Sequence, residues 1–412
     1  MNDLFTLIEK YGEPDALIDH WDPLSQAWAI WGFEEIYSLS TEDIQKGFEE
    51  DLLNPLQEKF DVWKAGSDSL AAVGFLPYDL KNFLFPHLNF KPVNTTQPLA
   101  WFAKPSRAIP YRQSKNLQSS KTPILSHLAD IPTPSSYKNS INKIKHYLEE
   151  GQSYQINFTQ PKSYRLPEDP FKTFLHIREF NQPHYGMYLN TGTTQVLSFS
   201  PERFFRTHHG LIESFPMKGT RPRSENEMMD AKLYEDLKYS TKDKAEHLMI
   251  VDLLRNDLGK ITNYGSVSVD NLYHIKSFDS VHQMESRVYG SLRETMNETN
   301  IFTALFPGGS ITGAPKERSM EIIDSLEKYN RRIYTGAIGS ISSNGDMDFN
   351  IAIRTMTVEN GIGIYPVGGG IVWDSDPLEE WREAQGKSGF LTPFTHPISE
   401  NLSKGFPQKV IS

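Results

Sequence analysis

Apolar residues at three- and four-residue spacing predict four helices after residue 135. The first begins near Ser136 and ends at Gly151, a residue typical of helix C-termini. The second helix is predicted from about Thr241 to Leu258, with Leu248, Val251, Leu254 and Leu258 on one face. The third begins at Ala314-Pro315 and carries the apolar residues Met320, Ile323 and Leu326. The fourth begins at the capping pair Asp376-Pro377.

Strands are predicted wherever apolar and polar residues alternate. The predicted strands are Gln152–Gln160, Gln195–Arg206, Leu211–Met217, Ile333–Ser342, Met347–Val358 and Gly361–Val372. The turn residues His208-His209-Gly210 are predicted to join the second and third of these in a hairpin. Because strands and helices are mixed without regular alternation, we predict an α+β architecture with antiparallel sheet rather than a doubly wound parallel one.

A change in composition divides the chain. Residues 104–136 are rich in Pro, Ser, Gln and Lys and have little apolar periodicity, which predicts a linker or a long surface connection. An aromatic-rich segment precedes it, and the residues after Thr392 contain three prolines. We therefore predict an N-terminal region with linker (1–125), a catalytic region (126–395) and a C-terminal tail (396–412).

Charge and cysteine content exclude several classes of protein. The 412 residues carry a net charge of −10, which argues against a general nucleic-acid binder. The absence of cysteine excludes disulfides, thiolate zinc sites, iron–sulfur clusters and a cysteine nucleophile within this chain. The first residues lack the basic start and apolar stretch of a signal peptide, and no apolar run approaches the ~20 residues of a membrane helix. A cytoplasmic protein is expected.

Two pairs of carboxylates each share a face of a predicted helix. Asp243 and Glu246 are three residues apart, and so are Glu380 and Glu383. If the two helices face each other, the cluster requires a cation, and oxygen ligands without cysteine favour magnesium. Two solvated helix faces are the alternative.

A lysine and a glutamate flank the predicted hairpin. Lys218 ends a strand and is followed by Gly219-Thr220, so desolvation could make it a nucleophile or base. Glu202 precedes the hairpin and could meet Lys218 across neighbouring strands. The alternatives are an ordinary surface lysine in a basic segment and a salt bridge between Glu202 and Arg203.

Glycine-rich segments and a strand arginine indicate anion binding. Residues 307–316 and the triplet Gly368-Gly369-Gly370 could present backbone N–H groups, although turn chemistry alone would also explain them. Arg354 lies within the apolar stretch Asn350–Met356, and a buried arginine there requires a planar anion or an internal salt bridge. The residues alone therefore predict a cation-dependent site for a small anion with several carboxylates.

Three longer strings resemble the chorismate-utilising enzymes, a family that includes anthranilate, aminodeoxychorismate, isochorismate and salicylate synthases. They are Met249–Leu258, Gly308–Lys316 and Gly368–Val372, and the resemblance covers roughly residues 135–390, with a weaker match at Val73–Leu80. The resemblance implies the chorismate-binding fold of the anthranilate synthase component I type, with large antiparallel sheets flanked by helices.

The residue at position 218 indicates the branch of the family. Anthranilate synthases typically have alanine there, whereas aminodeoxychorismate synthases have lysine; the isochorismate branch also has lysine but differs from this chain over residues 251–258. The resemblance thus implies amination of chorismate at C4, in p-aminobenzoate and folate biosynthesis. It gives Lys218 the role of nucleophile at C2 and Glu202 that of the acid that protonates the leaving hydroxyl.

The resemblance also implies a magnesium ion and substrate contacts. Its Mg²⁺ ligands would be Glu246 and Glu383, supported by Asp243 and Glu380, although relatives often have glutamate at position 243. Substrate contacts would come from Arg354 and Tyr334 and from residues of the glycine-rich segments, namely Gly219, Thr220, Thr312, Gly368, Gly369 and Gly370. Gln283 aligns with a family histidine near the ring, and His282 is one position away.

The lack of cysteine bears on the source of ammonia. Class I glutaminases need a nucleophilic cysteine, so ammonia must be free or come from a separate glutamine amidotransferase subunit, component II. Anthranilate or isochorismate formation is the nearest rival function. A protein that binds the anion without turnover is the rival from another class.

Overall fold

A computed structural model describes residues 2–20, 26–45, 52–93, 97–112, 124–130, 133–167, 169–278 and 281–395. The predicted C-terminal tail therefore lies outside the described residues. The helices within these ranges are α1 Leu4–Tyr11, α2 Thr41–Gln45, α3 Asn54–Ala65, α4 Lys81–Leu84, α5 Pro134–Glu149, α6 Pro170–Asn181, α7 Glu227–Tyr239, α8 Thr241–Gly259, α9 Glu298–Leu305, α10 Lys316–Leu326 and α11 Pro377–Lys387. Short 3₁₀ helices cover Tyr78–Leu80, Gly309–Ile311 and Ser388–Phe394. None of the helices in these ranges has the length and apolar character needed to cross a membrane.

The strands of the described residues form one sheet of 18 strands and a second of three. They are β1 Asn2–Asp3, β2 Ala16–His20, β3 Ala27–Leu39, β4 Leu70–Leu76, β5 Ala100–Arg112, β6 Ser126–Asp130, β7 Gln155–Gln160, β8 Lys162–Arg165, β9 Tyr185–Asn190, β10 Gln195–Ser200, β11 Arg203–His208, β12 Leu211–Ser214, β13 Met217–Pro222, β14 Ser268–Ser277, β15 Val281–Ser291, β16 Gly313–Ala314, β17 Ala337–Ser342, β18 Met347–Ile351, β19 Thr355–Glu359, β20 Ile362–Ile364 and β21 Val367–Ile371.

The pairing of these strands is almost entirely antiparallel. β1 pairs in parallel with β5, and the hairpin β11–β12, in which Arg206 lies opposite Glu213, shows the antiparallel arrangement of the others. The small sheet has β7 at its centre, with β16 and β21 on either side. Large antiparallel sheets with helices packed against them confirm the predicted α+β fold.

Strands from the first hundred residues pair with strands from much later in the sequence. β2 pairs with β9, and β4 pairs with β17 so that Gly74 lies opposite Gly339. The aromatic-rich N-terminal segment therefore contributes strands to the large sheet. The division of the chain at residues 125 and 395 stays a prediction.

The predicted linker is wrong for the residues of 104–136 that form strands. β5 continues to Arg112 and pairs with β3, with Phe33 opposite Pro105 and Trp28 opposite Pro110. The prolines fit because β4 contacts β5 only at residues 101–103, so neither proline needs to donate a hydrogen bond on that side. β6 occupies 126–130, and residues 113–123 and 131–132 lie outside the described part of the chain.

The helix predictions hold at their ends. Thr133 accepts a hydrogen bond from the N–H of Ser136 at the start of α5, and Asp376 accepts from the N–H groups of Leu378 and Glu379 at the start of α11. The predicted apolar face of α8 is wrong at Leu248, which is 40% exposed. His247 and Ile250 occupy the buried face instead, since they are in phase with Val251, Leu254 and Leu258.

Four predicted strands are each broken once, Leu211–Met217 at Phe215-Pro216 and the other three beside a common cavity. The stretch Gln195–Arg206 is interrupted at Pro201-Glu202, between β10 and β11. The stretch Met347–Val358 is interrupted before β19, where Arg354 has a φ of +50°. The stretch Gly361–Val372 is interrupted at Tyr365-Pro366, where proline cannot donate to the ladder. These last three breaks face the same cavity, which is described below.

Two hydrophobic clusters hold the walls of that cavity. Ile156, Phe158 and Val367 anchor β7 and β21 in the first cluster. Ile250 and Ile311 anchor α8 and the glycine-rich turn in the second. The cavity walls are therefore fixed by independent packing on both sides.

Candidate active site

Lys218 lies on β13 opposite Met284 of β15, immediately before a bulge at Gly219. Its side chain is half-buried, and its Nζ donates a hydrogen bond to Oε1 of Gln155 at 3.3 Å. Burial lowers the pKa of Lys218, and the negative charges of Glu246, Glu202 and Glu383 only partly oppose that effect. No carboxylate within the described residues lies within 4 Å of Nζ, so no direct ion pair stabilises the charged form of the amine.

Glu202 occupies the break between β10 and β11. Its Oε1 accepts a hydrogen bond from the hydroxyl of Ser310 at 2.9 Å, and burial raises the pKa of Glu202 to about 7. The alternative of a salt bridge with Arg203 is wrong, because Arg203 makes two hydrogen bonds of 3.0 Å to Asp348. Glu202 is therefore free to hold a proton near neutral pH.

A cavity of about 190 Å³ brings Lys218 and Glu202 together. Three of its walls come from the broken strands, and a fourth comes from the turn that carries Ser310. The other predicted site residues that line it are Tyr334, Arg354, Gly368, Gly369 and Gly370. An amine with a lowered pKa and a carboxyl with a raised pKa thus face one enclosed space, which is the pattern expected of a nucleophile and a general acid.

Arg354 differs from its prediction as a buried strand residue. It is exposed, it lies between β18 and β19, and its guanidinium stacks over the ring of Phe390 at 5.2 Å from the centroid. The left-handed backbone at Arg354 ends the strand and turns the side chain out of the sheet. Arg354 therefore lines both the cavity and its mouth, where it can meet an anion from solvent.

Arg331, which follows the α10 helix, is a buried arginine near this cavity. It donates to Oε1 of Glu327 at 2.7 Å and to the carbonyl of Asn157 at 2.6 Å. Since all of these partners are internal, Arg331 fixes the loop before Tyr334 and is not available for a ligand.

The glycine-rich turn is shaped by close packing. A Cβ at Gly309 would lie 2.0 Å from Cδ2 of Leu253, so only glycine allows the turn to approach α8. Thr312 is fully buried, and its hydroxyl donates to the carbonyls of Gly308 and Gly309 within the turn. The turn therefore positions Ser310 beside Glu202, while the side chain of Thr312 does not line the cavity.

The glycines of β21 leave room for side chains from other elements. A Cβ at Gly370 would lie 2.9 Å from the carboxamide of Gln155, which is the partner of Lys218. A Cβ at Gly369 would lie 3.2 Å from Nζ of Lys387 and 3.6 Å from carboxylate oxygens of both Glu380 and Glu383. The missing side chain at Gly369 thus leaves a small space bounded by two carboxylates and an ammonium group.

The four predicted metal ligands have different partners. Glu383 lies at the cavity mouth and pairs with Lys387 at 2.8 Å, which lowers the pKa of Glu383. Glu380 accepts from the hydroxyl of Ser375, and burial raises the pKa of Glu380. Burial also raises the pKa of Glu246, with repulsion from Asp243 and Glu383 adding to the effect. Asp243 pairs with Arg221 at 3.0 Å.

Glu246 and Glu383 could hold a magnesium ion only together with oxygen ligands from water or substrate. No group of three His, Asp or Glu side chains in the described ranges is close enough to hold a metal by itself. Mg²⁺ commonly takes only one or two carboxylates and keeps several waters. Repulsion from Glu383 raises the pKa of Glu246, and Lys218, Lys242 and Lys387 lie near the two carboxylates, so a metal ion would compete with ammonium groups for them.

Some predicted residues lie apart from the cavity. Gly219 has a φ of +74° and packs against Asp243, and Thr220 is exposed opposite Gln283; neither lines the cavity. His282 faces away on β15 and contacts Asp230 at 3.1 Å.

Sequence reasoning missed two cavity residues, Ser310 and Lys387, and also the buried Gln155 that contacts Lys218. Gln155 is fully buried, and its Nε2 has no hydrogen-bond partner among the described residues. Ser310 lies in the glycine-rich segment 307–316 and Lys387 follows Glu383 on the same predicted helix, but the sequence analysis gave neither residue a role. A polar residue at an inward strand position and a lysine four residues after Glu383 were the available signals.

The sequence is similar to a family of known enzymes and to several of its members. The sequence profile described as "chorismate binding enzyme" matches residues 19–393. Anthranilate synthase component 1 of Saccharolobus solfataricus is 33% identical over 374 residues, which cover 88% of this chain and 87% of that protein. Aminodeoxychorismate synthase component 1 of Bacillus subtilis is 39% identical over 272 residues, which cover 66% of this chain and 58% of that protein. The chain thus spans little more than half the length of the second relative.

Solved structures share the fold. Anthranilate synthase component I from Streptococcus pneumoniae TIGR4 superposes with a TM-score of 0.77 at 24% identity, covering 89% of this chain and 92% of that one. A putative 2,3-dihydroxybenzoate-specific isochorismate synthase, DhbC, from Bacillus anthracis gives 0.75 at 20% identity, covering 94% and 98%.

Proposed function

The chain belongs to the family of chorismate-binding enzymes, and on that premise we propose that it converts chorismate and ammonia to 4-amino-4-deoxychorismate, as an aminodeoxychorismate synthase component I. The observation that carries the proposal is Lys218, a half-buried amine without an ion pair that shares a cavity with Glu202. Anthranilate synthases typically have alanine at this position, and alanine could not form a bond to the substrate.

The first step forms a bond to the substrate. The neutral amine of Lys218 attacks C2 of chorismate, both ring double bonds shift, from C1=C2 to C1=C6 and from C5=C6 to C4=C5, and the C4–O bond breaks. Glu202 donates its proton to the departing oxygen, so water leaves and Glu202 becomes a carboxylate. Ser310 stabilises that carboxylate, since its hydroxyl already donates to Oε1 at 2.9 Å.

The second step reverses the shift. Ammonia attacks C4, both double bonds return to C5=C6 and C1=C2, and the C2–N bond to Lys218 breaks. The attacking nitrogen loses a proton to the Glu202 carboxylate, which is then ready for the next substrate. Two displacements of this kind place the amine on the carbon that carried the hydroxyl, and the net products are aminodeoxychorismate and water.

Substrate orientation is proposed to depend on the two ends of the cavity. Arg354 at the mouth and Tyr334 in the wall would hold the enolpyruvyl carboxylate, because a guanidinium binds a carboxylate with two hydrogen bonds. The backbone of Gly368-Gly369-Gly370 lines the cavity, and since these residues have no side chains to intervene, their N–H groups would be available to the substrate.

Glu246 and Glu383 are the proposed magnesium ligands, with Glu380 and Asp243 as supporting acids. The bound ion would act as a Lewis acid towards the ring carboxylate. Lys387 currently neutralises Glu383, so its side chain must move aside when Glu383 takes up a different cation.

Ammonia is proposed to come from a separate glutamine amidotransferase subunit. The chain has no cysteine to serve as the glutaminase nucleophile. Relatives from Bacillus subtilis and Escherichia coli carry the name component 1, which is consistent with a second component.

The test is to incubate the purified chain with chorismate, Mg²⁺ and ammonium and to identify the products by mass spectrometry. Aminodeoxychorismate as the main product supports the proposal. Anthranilate is the second candidate product, because relatives with that name match at similar identity. Anthranilate, isochorismate or salicylate as the main product would refute the proposal, and chorismate binding without turnover would indicate a non-catalytic protein.

A separate titration tests the magnesium ligand. Glu383→Gln should raise the Mg²⁺ concentration needed for half-maximal activity by about tenfold or more, because a neutral amide is a weaker ligand. Glu379→Gln is the matched control on the same helix, since Glu379 pairs with Arg382 at the surface. Equal Mg²⁺ requirements in both variants would remove Glu383 from the ligand set.

A further inference from the structure

A second and larger cavity lies behind the wall of the candidate active site. Its volume is about 510 Å³, within the range of small-molecule sites. The 3₁₀ helix at Tyr78, the C-terminal end of α10, and the loop that follows α10 form its walls. Tyr334 and Pro366 line both cavities, so the two spaces are separated by little more than these side chains.

Every acid of this cavity already has a partner. Asp79 accepts the backbone N–H of Arg332 at 2.9 Å. Asp324 accepts the backbone N–H of Lys91 at 2.9 Å and lies 3.5 Å from Nζ of Lys81. Glu327 accepts hydrogen bonds from Arg331 and from both the N–H and the hydroxyl of Thr159.

The groups of the cavity that have spare capacity are donors and cations. Tyr78 is 2% exposed, yet its hydroxyl has no hydrogen-bond partner among the described residues. Arg332 has Glu359 as its ion-pair partner only at 3.9 Å. Lys328 is exposed at the rim and has no ion pair within the described ranges. The cavity therefore offers a ligand positive charge at its rim, next to a buried O–H group that no acceptor uses.

Two further cations lie beside the ring of Tyr78 and add to the positive charge around the cavity. Nζ of Lys81 lies 5.4 Å from the centroid of the Tyr78 ring, and the guanidinium of Arg331 lies 4.5 Å from the same ring. Burial raises the pKa of Tyr78, so its hydroxyl keeps its proton and remains a donor at neutral pH. A buried O–H without an acceptor costs free energy, which a ligand oxygen would recover.

We infer that this cavity is a second binding site, for a small organic monoanion whose carboxylate accepts from the Tyr78 hydroxyl and whose apolar body lies against Val93, Ile323 and Ile364. A bare inorganic ion fits less well, because it would leave the apolar walls and most of the volume unfilled. A cationic ligand group fits less well, because each carboxylate of the cavity already has a hydrogen-bond donor or a cation as its partner. The inference concerns binding alone and does not depend on the proposed reaction.

Benzoate is a suitable probe, titrated into the full chain by isothermal calorimetry with chorismate absent. Wild-type protein should bind it, and Tyr78→Phe, which removes only the hydroxyl, should weaken binding about five- to twentyfold. Tyr137→Phe is the matched control, because Tyr137 is another buried phenol without a hydrogen-bond partner and does not line this cavity. Its affinity for benzoate should equal that of the wild type.

Two further variants distinguish this cavity from the candidate active site. Lys328→Gln at the exposed rim should weaken benzoate binding about two- to fivefold and reduce its salt dependence, and it keeps the test valid if Tyr78→Phe does not fold. Arg354→Gln should leave binding unchanged. The inference is overturned if wild type does not bind benzoate, if Tyr78→Phe and Lys328→Gln bind it with wild-type affinity, or if Arg354→Gln abolishes binding.

Discussion

Two lysines, Lys218 and Lys316, lie in buried regions of the protein with opposite surroundings. Nζ of Lys316 donates to Oδ2 of Asp257 at 2.6 Å and to the carbonyl of Leu305 at 3.1 Å. Nζ of Lys218 has the neutral carboxamide of Gln155 at 3.3 Å as its hydrogen-bond partner. Burial lowers the pKa of both lysines, but only Lys316 has a carboxylate in contact to hold its proton.

The difference separates a structural lysine from a reactive one. A buried ammonium in contact with a carboxylate stays charged, and losing either partner leaves an uncompensated charge. A buried ammonium without such a contact loses its proton at lower cost and becomes nucleophilic. Desolvation alone is therefore a poor indicator of reactivity, and the nature of the nearest acceptor distinguishes the two sites.

Lys218→Ala should have the largest effect on activity. We expect turnover to fall by about 10⁴-fold or more, because the nucleophile is lost while its surroundings remain. Thermal stability should be unchanged or slightly higher, since no ion pair is broken. The measurements are product formation and intact mass after rapid quenching, and a covalent adduct that persists in the variant would exclude Lys218 as nucleophile.

Lys316→Ala should have the reverse profile. Breaking the pair with Asp257 should lower the free energy of unfolding by about 3 kcal/mol, because Asp257 is 2% exposed and keeps only the pairing with Lys260 at 2.8 Å. Urea unfolding measures the loss. The double variant Lys316→Met/Asp257→Leu should recover part of it, and if it does not, packing rather than charge accounts for the effect.

Glu202→Gln should uncouple activity from stability. We expect kcat to fall about 10²- to 10⁴-fold, because the acid for the leaving hydroxyl is lost. In wild type, the rate should decline as pH rises through the Glu202 pKa of about 7, since the proton donor is then lost. The variant should show no such ionisation.

The raised pKa of Glu202 should also make the free energy of unfolding depend on pH. Between its ordinary pKa of 4.5 and about 7, the folded protein holds a proton that the unfolded chain has released, so rising pH lowers the free energy of unfolding. Glu202→Gln should therefore gain about 1–3 kcal/mol relative to wild type between pH 5 and pH 8. Urea unfolding at both pH values tests this, and an equal difference at each would contradict a raised pKa.

Gln155→Glu should make the surroundings of Lys218 resemble those of Lys316. A carboxylate in place of the carboxamide raises the pKa of Lys218, so activity at pH 7.5 should fall about 10- to 100-fold. Raising the pH should restore part of it, whereas the same increase should not rescue Gln155→Leu. A pH profile identical to that of the wild type would show that Gln155 does not set the charge of Lys218.

The helices were predictable from local chemistry. Thr133 and Asp376 begin α5 and α11 through side-chain caps, which depend on neighbouring residues alone. Leu248 was misplaced because the α8 pattern allows two nearby apolar faces, and the packing of His247 against Ser286 of β15 selects one of them.

The site was less predictable because it forms where regular structure fails. The strand periodicity continues through Pro201, Arg354 and Pro366, but the backbone breaks at each to line the cavity. The contact between Gln155 and Lys218 joins residues 63 apart, and no local pattern encodes it. Composition suggested a linker where β5 pairs with β3, since the partner strand lies far from the proline-rich stretch.

The pairing of β4 with β17 has a consequence for biosynthesis. Gly74 emerges from the ribosome long before its partner Gly339, and at 5–20 residues per second the interval is roughly 13 to 53 s. During that time β4, whose seven residues are all buried in the finished fold, has no partner on that edge. Nascent chains should therefore depend on chaperones, and fragments that end before residue 337 should aggregate rather than fold.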